Sequence, residues 1–406
     1  MTTPQLMCSI YRLTLKIHRK QPMNRSKLII ALLITGFIYL FTPGMVLADG
    51  PEDGSLPLCP PDLFFDTTQD CNPSGPTAYL LNMAEKGITF PETPLPYNKP
   101  DPSLSDVEYR YAYVSSNRAP IYQSLNDAIN KNKEKIVRWI TPGFNYVSIS
   151  QSEYSRGKYY HYTGIGWMSS DDLLIADVPL FQGVEFTETP KNDFGWVLSM
   201  FSQGGKAETK YTPGYDNDDY TGRYLEHQQL VQIYAVETVD KWDWYLIGPD
   251  EWVIQTAVAK ISPRTSPPEG MAWDRWIEVN LYEQTIAVYD DRELVFATLI
   301  ASGLNPFYTY PGIFTIDEKL DVTRMRWLTD PTIAYNLESV PWTMYFDESR
   351  AFHGAYWRAS LGYPQSHGCV NLSVGDSHWL FDWADLGDRV YVYDPSGKTP
   401  LSESSR

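Results

Sequence analysis

The sequence predicts a mostly-β chain in which small modules precede one larger C-terminal domain. Three observations carry that prediction. From Val107 onward, short runs rich in aromatic and β-branched residues ("YRYAYVSS", "FNYVSISQ", "YYHYTGIGWM") alternate with turn residues. An internal repeat sets an aromatic pair, a glycine turn and then a tryptophan followed by an apolar residue, first in "YYHYTGIGWMSSDDLLI" from Tyr159 and again in "WYLIGPDEWVIQTAVAKI" from Trp244. Beyond these, Ile277, Val279 and Leu281, then Ile286 and Val288, then Leu294 and Phe296 alternate with polar residues, a β-meander turning at Asp290 to Arg292.

Residues 1–48 hold six Lys or Arg and no Asp or Glu, with an uncharged 14-residue run from Leu28 to Phe41 and Val46-Leu47-Ala48 at the end. A basic start, an apolar run too short to span a bilayer and a small-residue site read as a secretory signal cut after Ala48. A start at Met23 makes a more ordinary signal, which leaves residues 1–22 as an extension. A membrane is a partner only if this segment stays uncleaved. The whole chain carries a net charge of −17, and loss of those six cations makes it more acidic still. Such a surface repels nucleic acid and anionic lipid.

The segment 49–106 contains eleven prolines and no sustained period, so little regular structure is expected there. Within it Cys59 and Cys71 are the obvious disulfide pair. Residues 107–178 and 179–262 each hold about five short strands, which suits a small antiparallel barrel. Both resemble bacterial SH3-like modules, a family whose members often bind cell-wall components. "SPRTSPPEG", residues 262–270, is a linker. The domain over 271–395 is mostly β, with one short helix starting near Asp376 and a last strand from Arg389 to Tyr393, and residues 396–406 form a tail.

With Cys8 in the leader and Cys59 paired with Cys71, Cys369 stands alone. An unpaired cysteine in an exported chain is either reactive or bonded to another chain. It sits in "FHGAYWRASLGYPQSHGCVNLS", 16 positions after His353 and two after His367. A free thiol ionises near 8.5, and a neighbouring imidazole is the usual means of raising its thiolate fraction at neutral pH. Gly362 and Pro364 are turn formers that would let the chain return, so that His353 faces Cys369. Gly368 allows a sharp backbone turn, with amide N–H groups there aimed at a tetrahedral oxyanion. The residues point to Cys–His acyl transfer and leave the substrate open.

The motif resembles the L,D-transpeptidases of the YkuD type, on His353-Gly354, Ser366-His367-Gly368-Cys369, Val370 and Asn371. "IEVNLYEQTIAVYDDRELVFATLIASG" is similar to that family's opening strands. "YPGIF", Tyr310 to Phe314, is similar to its Thr-Pro-x-Gly-x-Phe segment, one position shorter and without the Thr. The resemblance covers roughly residues 276–394 and implies a β-sandwich catalytic domain. It also implies attack by Cys369 on a peptidoglycan stem tetrapeptide, loss of the terminal D-Ala, and transfer of the thioester to a neighbouring stem amine as a 3→3 cross-link. By position, Cys369 is the nucleophile and His353 the base. His367, Gly368, Ser366 and Gly354 support the loop or the oxyanion region. Asn371 faces substrate where the family commonly has Arg, so a charge pairing from that position is lost. No cofactor is implied.

Other readings remain beside this one. A solitary cysteine is often an inert small hydrophobe. Hydrolysis of the same thioester would make a carboxypeptidase, and a relic site would leave a wall-binding protein. An ordinary cysteine peptidase would need a distant Asn or Asp orienting the histidine, and no local signature of one stands out. Asn217, Asp219, Thr221 and Gly222 have calcium-loop spacing, but Gln228 stands where a bidentate Glu is needed. "GGK" at 204–206 lacks the rest of a phosphate loop. His161, His227 and His378 have no ligand spacing, so no metal is implied.

Overall fold

The computed structural model describes residues 59, 71–72, 75–200, 206–215, 218–328, 330 and 333–402. The expected leader over 1–48, with Cys8, the end of the tail and part of "GGK" lie outside the described residues. Cys59 and Cys71 form a disulfide, with Cα atoms 4.9 Å apart. Following them, the proline-rich segment departs from expectation, because Pro76–Glu85 is a ten-residue helix, α1. Its proline sits at the first turn, where a missing N–H costs nothing and the fixed φ favours the helix. Met83 and Ile88 are buried against Trp244, Leu246 and Trp252, so packing stabilises a helix that proline density obscured.

After β1 (Tyr97–Asn98) come β2 (Arg110–Val114), β3 (Ala119–Tyr122), the short helix α2 (Leu125–Asn130), β4 (Ile136–Ile140), β5 (Phe144–Ile149), β6 (Gln151–Ser155), β7 (Lys158–Tyr162), β8 (Trp167–Ser169) and β9 (Leu173–Ala176). Next are β10 (Val184–Phe186), β11 (Asp193–Val197), β12 (Ala207–Lys210), β13 (Tyr220–Leu225), β14 (Leu230–Ile233), β15 (Ala235–Val239), β16 (Trp242–Gly248), β17 (Glu251–Ile254) and β18 (Val258–Ile261). The first module pairs its strands in the orders β4-β3-β8-β7-β6 and β5-β2-β9, and the second in the orders β13-β12-β17-β16-β15 and β14-β11-β18. Adding nine to each label maps one module onto the other. The repeated sequence is β7-β8-β9 in one and β16-β17-β18 in the other, each with a single 3-10 turn before the last strand.

The C-terminal domain contains β19 (Trp276–Asn280), β20 (Thr285–Asp290), β21 (Glu293–Leu299), β22 (Gly312–Thr315), β23 (Glu318–Trp327), β24 (Tyr335–Asp347), β25 (Arg350–Gly354), β26 (Val370–Leu372), helix α3 (Val374–Trp383) and β27 (Arg389–Tyr393). The meander turns at Asp291 and Arg292, both at positive φ, and α3 is capped by Ser373, whose Oγ accepts from the Asp376 N–H. One sheet runs β1-β10-β21-β20-β19-β27-β22, the other β26-β25-β24-β5-β2-β9 with β23 on β24. Alternation on β19 to β21 sends Ile277, Val279, Ile286, Val288 and Phe296 inward. They meet Met344, Phe346, Phe352, Val370 and Leu372 of the second sheet, with Leu380 of α3.

Both sheets recruit strands from earlier in the chain. Val184 pairs with Ala297, so β10 belongs to the C-terminal domain and the second module's repeat begins at β11, not at 179. The partner is more than a hundred residues away, which local alternation cannot reveal. On the outer face of this sheet, Phe194 and Trp196 of the second module pack on Trp276 and Tyr289. In the other sheet, β5 lies parallel to β24, with Phe144 opposite Tyr335. Tyr111 stacks on Tyr356 with centroids 3.5 Å apart and donates its hydroxyl to the Ser339 carbonyl. The first module is thus built into the C-terminal domain through sheet continuation and a buried aromatic pair.

Candidate active site

Two adjacent parallel strands, β25 and β26, present the site. Phe352 pairs with Val370, His353 with Asn371 and Gly354 with Leu372. Because side chains alternate across a strand, Phe352 and Val370 enter the core while His353 and Asn371 project from the opposite face. Cys369 precedes Val370 and falls on the same face as Asn371, one diagonal from His353. Gly354 lets α3 press onto β25, since a Cβ there would lie 2.6 Å from Ser377 Oγ and 3.3 Å from the Val374 Cα.

The loop before Cys369 is held by small polar groups. Ser366 Oγ donates to the Cys369 carbonyl at 2.5 Å and accepts the Gly368 N–H at 3.1 Å. Thr309 Oγ1 donates to the Gly368 carbonyl at 2.7 Å and accepts the Gly303 N–H at 2.9 Å. Gly368 has a φ of +112°, and a Cβ on it would press to 3.3 Å from Arg350 Nε. Arg350 is itself pinned by Asp347 (3.1 Å), the Tyr308 carbonyl (2.9 Å) and the ring of Tyr310 (4.2 Å to its centroid). The Gly368 N–H, expected to face an oxyanion, is instead committed to Ser366. A short loop uses its amides to define its own shape before any substrate arrives.

Asn371 differs from expectation in a similar way. Its amide nitrogen donates to the Ala301 carbonyl at 3.1 Å and the Cys369 carbonyl at 3.3 Å. The side chain is buried and borders the cavity, but these donors tie β26 to the end of the meander. His367 is exposed and lies among Phe307 and Tyr335, at centroid distances of 4.5 and 5.1 Å.

Cys369 is half-buried, and its thiol donates to the Ser349 carbonyl at 3.6 Å. Burial pushes the thiol above its ordinary pKa, more than the Ala351 backbone hydrogen bond and Arg350 pull it down. His353 is only 2 % exposed, and burial lowers its pKa to about 4. The Gly354 backbone favours the charged ring and Arg358 opposes it, but Nδ1 has no well-formed hydrogen bond. At neutral pH the resting pair is therefore thiol and neutral imidazole, not the ion pair that proximity alone suggests. The imidazole is in the state needed to accept a proton.

The pair opens on a cavity of about 410 Å³. Met325, Tyr335 and Leu337 of the β23–β24 hairpin, Phe144 of the first module and Trp357 form its apolar wall, with Arg358 and Gln365 among its polar groups. Tyr335 has its pKa pushed up to about 12, by burial and then by the charge Cys369 would carry. Thr309, Arg350, Arg358 and Phe144 all escaped sequence reasoning. Thr309 lies two positions before Pro311, directly ahead of the Tyr310–Phe314 segment, and Arg358 lies within the run that joins His353 to Cys369.

Residues 274–392 match the family model of the L,D-transpeptidase catalytic domain, YkuD. Comparison with curated proteins finds no match. Among solved structures, the chain is similar to a variant L,D-transpeptidase from Enterococcus faecium, with 25 % identity over 30 % of this chain and 50 % of that one and a TM-score of 0.28. The catalytic domain of an E. faecium L,D-transpeptidase, solved by NMR, is 27 % identical over 30 % of this chain and 100 % of that one, with a TM-score of 0.28. An L,D-transpeptidase from Mycobacterium smegmatis is 17 % identical over 54 % and 93 %, also at 0.28. The match spans about half the length of the first of these.

Proposed function

We propose that residues 274–392, a YkuD-type L,D-transpeptidase catalytic domain, cross-link peptidoglycan stem peptides through a thioester on Cys369. The observation that carries this reading is that His353 on β25 and Cys369, directly before the parallel strand β26, border one cavity. His353 takes the thiol proton as the sulfur attacks the carbonyl that follows the diamino acid of a stem tetrapeptide. The S–C bond forms, the C–N bond to D-Ala breaks, and the proton passes from His353 to the departing amine. An amine of a second stem then attacks the thioester, its C–N bond forms as the S–C bond breaks, and the thiol is restored. The product is a 3→3 cross-link.

A neutral imidazole supports the base role, and the apolar cavity wall supports exclusion of competing water. Export of the chain is part of the proposal, supported by the leader composition and the Cys59–Cys71 disulfide. The two repeated modules are read as SH3-like and wall-binding. Failure of the protein to sediment with purified sacculi would remove that role.

The test of the reaction is intact mass after exposure to a carbapenem and, separately, to a disaccharide tetrapeptide, with Cys369→Ala in parallel. A covalent adduct on the wild type alone is expected. A folded, reduced protein that forms none sinks the enzymatic reading. Product analysis with and without an acceptor amine separates transfer from hydrolysis.

A further inference from the structure

Arg358 ends the turn after β25, with its N–H on the Ala355 carbonyl at 3.1 Å, and its side chain borders the cavity that holds Cys369 and His353. The guanidinium is poorly matched there. Its Nη1 donates to Gln365 Oε1 and its Nη2 reaches the Gln365 carbonyl at 3.4 Å, both neutral acceptors. Its Nε is buried with no hydrogen-bond partner. Among the described residues no carboxylate lies within ion-pair distance of it. Other arginines of the same domain are matched: Arg275 with Asp290 and Asp388, and Arg350 with Asp347.

In a chain with 50 acidic residues, a half-buried guanidinium without a carboxylate is an incomplete pair. Desolvation is severe enough to lower its pKa to about 10, which still leaves it charged at neutral pH. Such a charge bordering an apolar cavity is stabilised by an anion that enters the cavity. Across the site Asn371 offers no substitute, because its amide is spent on two backbone carbonyls.

We propose that Arg358 receives a carboxylate of the acyl-donor peptide, completing its ion pair with substrate and holding the donor against Cys369. This rests on the stem-peptide reading above. A stem tetrapeptide offers two carboxylates near the bond attacked, that of the terminal D-Ala and the free one on the diamino-acid side chain. Either suits the fork of a guanidinium. Pairing also cancels a positive charge that disfavours protonated His353, so the bound donor makes the imidazole a better base.

The experiment measures donor binding by calorimetry to the full secreted chain carrying Cys369→Ala, with three ligands: the disaccharide tetrapeptide, its D-Ala amide, and its diamino-acid side-chain amide. Removing the carboxylate that Arg358 receives is expected to weaken binding about ten- to hundredfold, and the identity of that amide names the carboxylate. With Arg358→Gln added, binding of the free acid falls by a similar factor and the same amidation no longer matters. Binding indifferent to both amidations overturns the proposal, whether or not Arg358→Gln folds. An amidation penalty undiminished in folded Arg358→Gln also overturns it. If the tetrapeptide is not bound at all, the stem-peptide reading itself fails and takes this inference with it.

Discussion

His353 stands opposite Asn371 across a parallel strand pair, which makes Cys369 its diagonal neighbour on one face. The spacing arises because the loop between Gly354 and Ser366 returns the chain in the same direction, and strand alternation does the rest. Strand pairing sets this placement. It does so only if the loop stops at one register, since a slip of one residue would send Cys369 into the core.

The thiol is expected to be un-ionised at neutral pH. Alkylation of Cys369 by iodoacetamide in the Cys59–Cys71 disulfide form should be slower at pH 7 than that of a free cysteine and keep rising past pH 9. A reactive plateau between pH 5 and 7 would show a thiolate–imidazolium pair and contradict the assignment.

His353 links protonation to stability. Its pKa drops from 6.5 to about 4 on folding, so between these values the unfolded chain binds more protons. Its contribution is whole above about pH 6.5 and is lost as pH falls toward 4, by at most about 3 kcal/mol. Asp376, raised to about 6 by burial, changes in the opposite sense over a similar range, as ionisation of the buried acid disfavours folding. The difference between wild type and His353→Gln isolates the histidine. Urea melts at pH 7 and pH 4.5 should show the wild type losing ground to the variant, whose acylation rate should also fall about a hundredfold or more.

Ser366→Ala removes an acceptor for the Gly368 N–H and a donor to the Cys369 carbonyl. We expect a loss of about 1–3 kcal/mol in urea melts and a fall in acylation rate with the thiol still titratable by a disulfide reagent. Unchanged acylation would mean that the loop keeps its shape without this hydroxyl.

Gly354→Ala puts a methyl 2.6 Å from Ser377 Oγ and against the backbone of α3 at Val374. The helix must move away from β25, at a cost of about 1–3 kcal/mol. Thermal melting of Gly354→Ala and Gly354→Ala/Ser377→Gly measures it, and the second substitution should recover part of the loss by vacating the nearest contact.

Phe144 tests whether the first module forms part of the site. It is 42 % exposed, borders the cavity and belongs to a strand shared with β24. Phe144→Ala should raise KM for the tetrapeptide several-fold while kcat and the melting temperature change little. An unaltered KM would confine substrate to the C-terminal domain.

Much of the architecture was legible because it is written in local pattern. The alternation at Ile277 to Phe296 places the meander, and Arg389 to Tyr393 is the last strand. The repeat at Tyr159 and Trp244 marks two modules of one topology. The helix α1 was hidden because prolines suggest irregular chain, whereas its stability comes from distant tryptophans. The strand β10, within 179–262, pairs with β21 more than a hundred residues away, which local pattern does not reveal.

At the site, the sequence by itself singled out the candidate reacting groups: Cys369 and His353 stand out by residue type and by the glycines beside them. Tertiary structure alone decided their state and surroundings. Burial makes both neutral, Ser366 and Asn371 turn inward to hold backbone, Arg350 and Arg358 of the same stretch of chain close in around them, and Thr309 and Phe144 arrive from other segments. The physical reason is that chemical identity belongs to a residue, while its protonation, its hydrogen-bond commitments and its neighbours are properties of contacts between residues far apart along the chain.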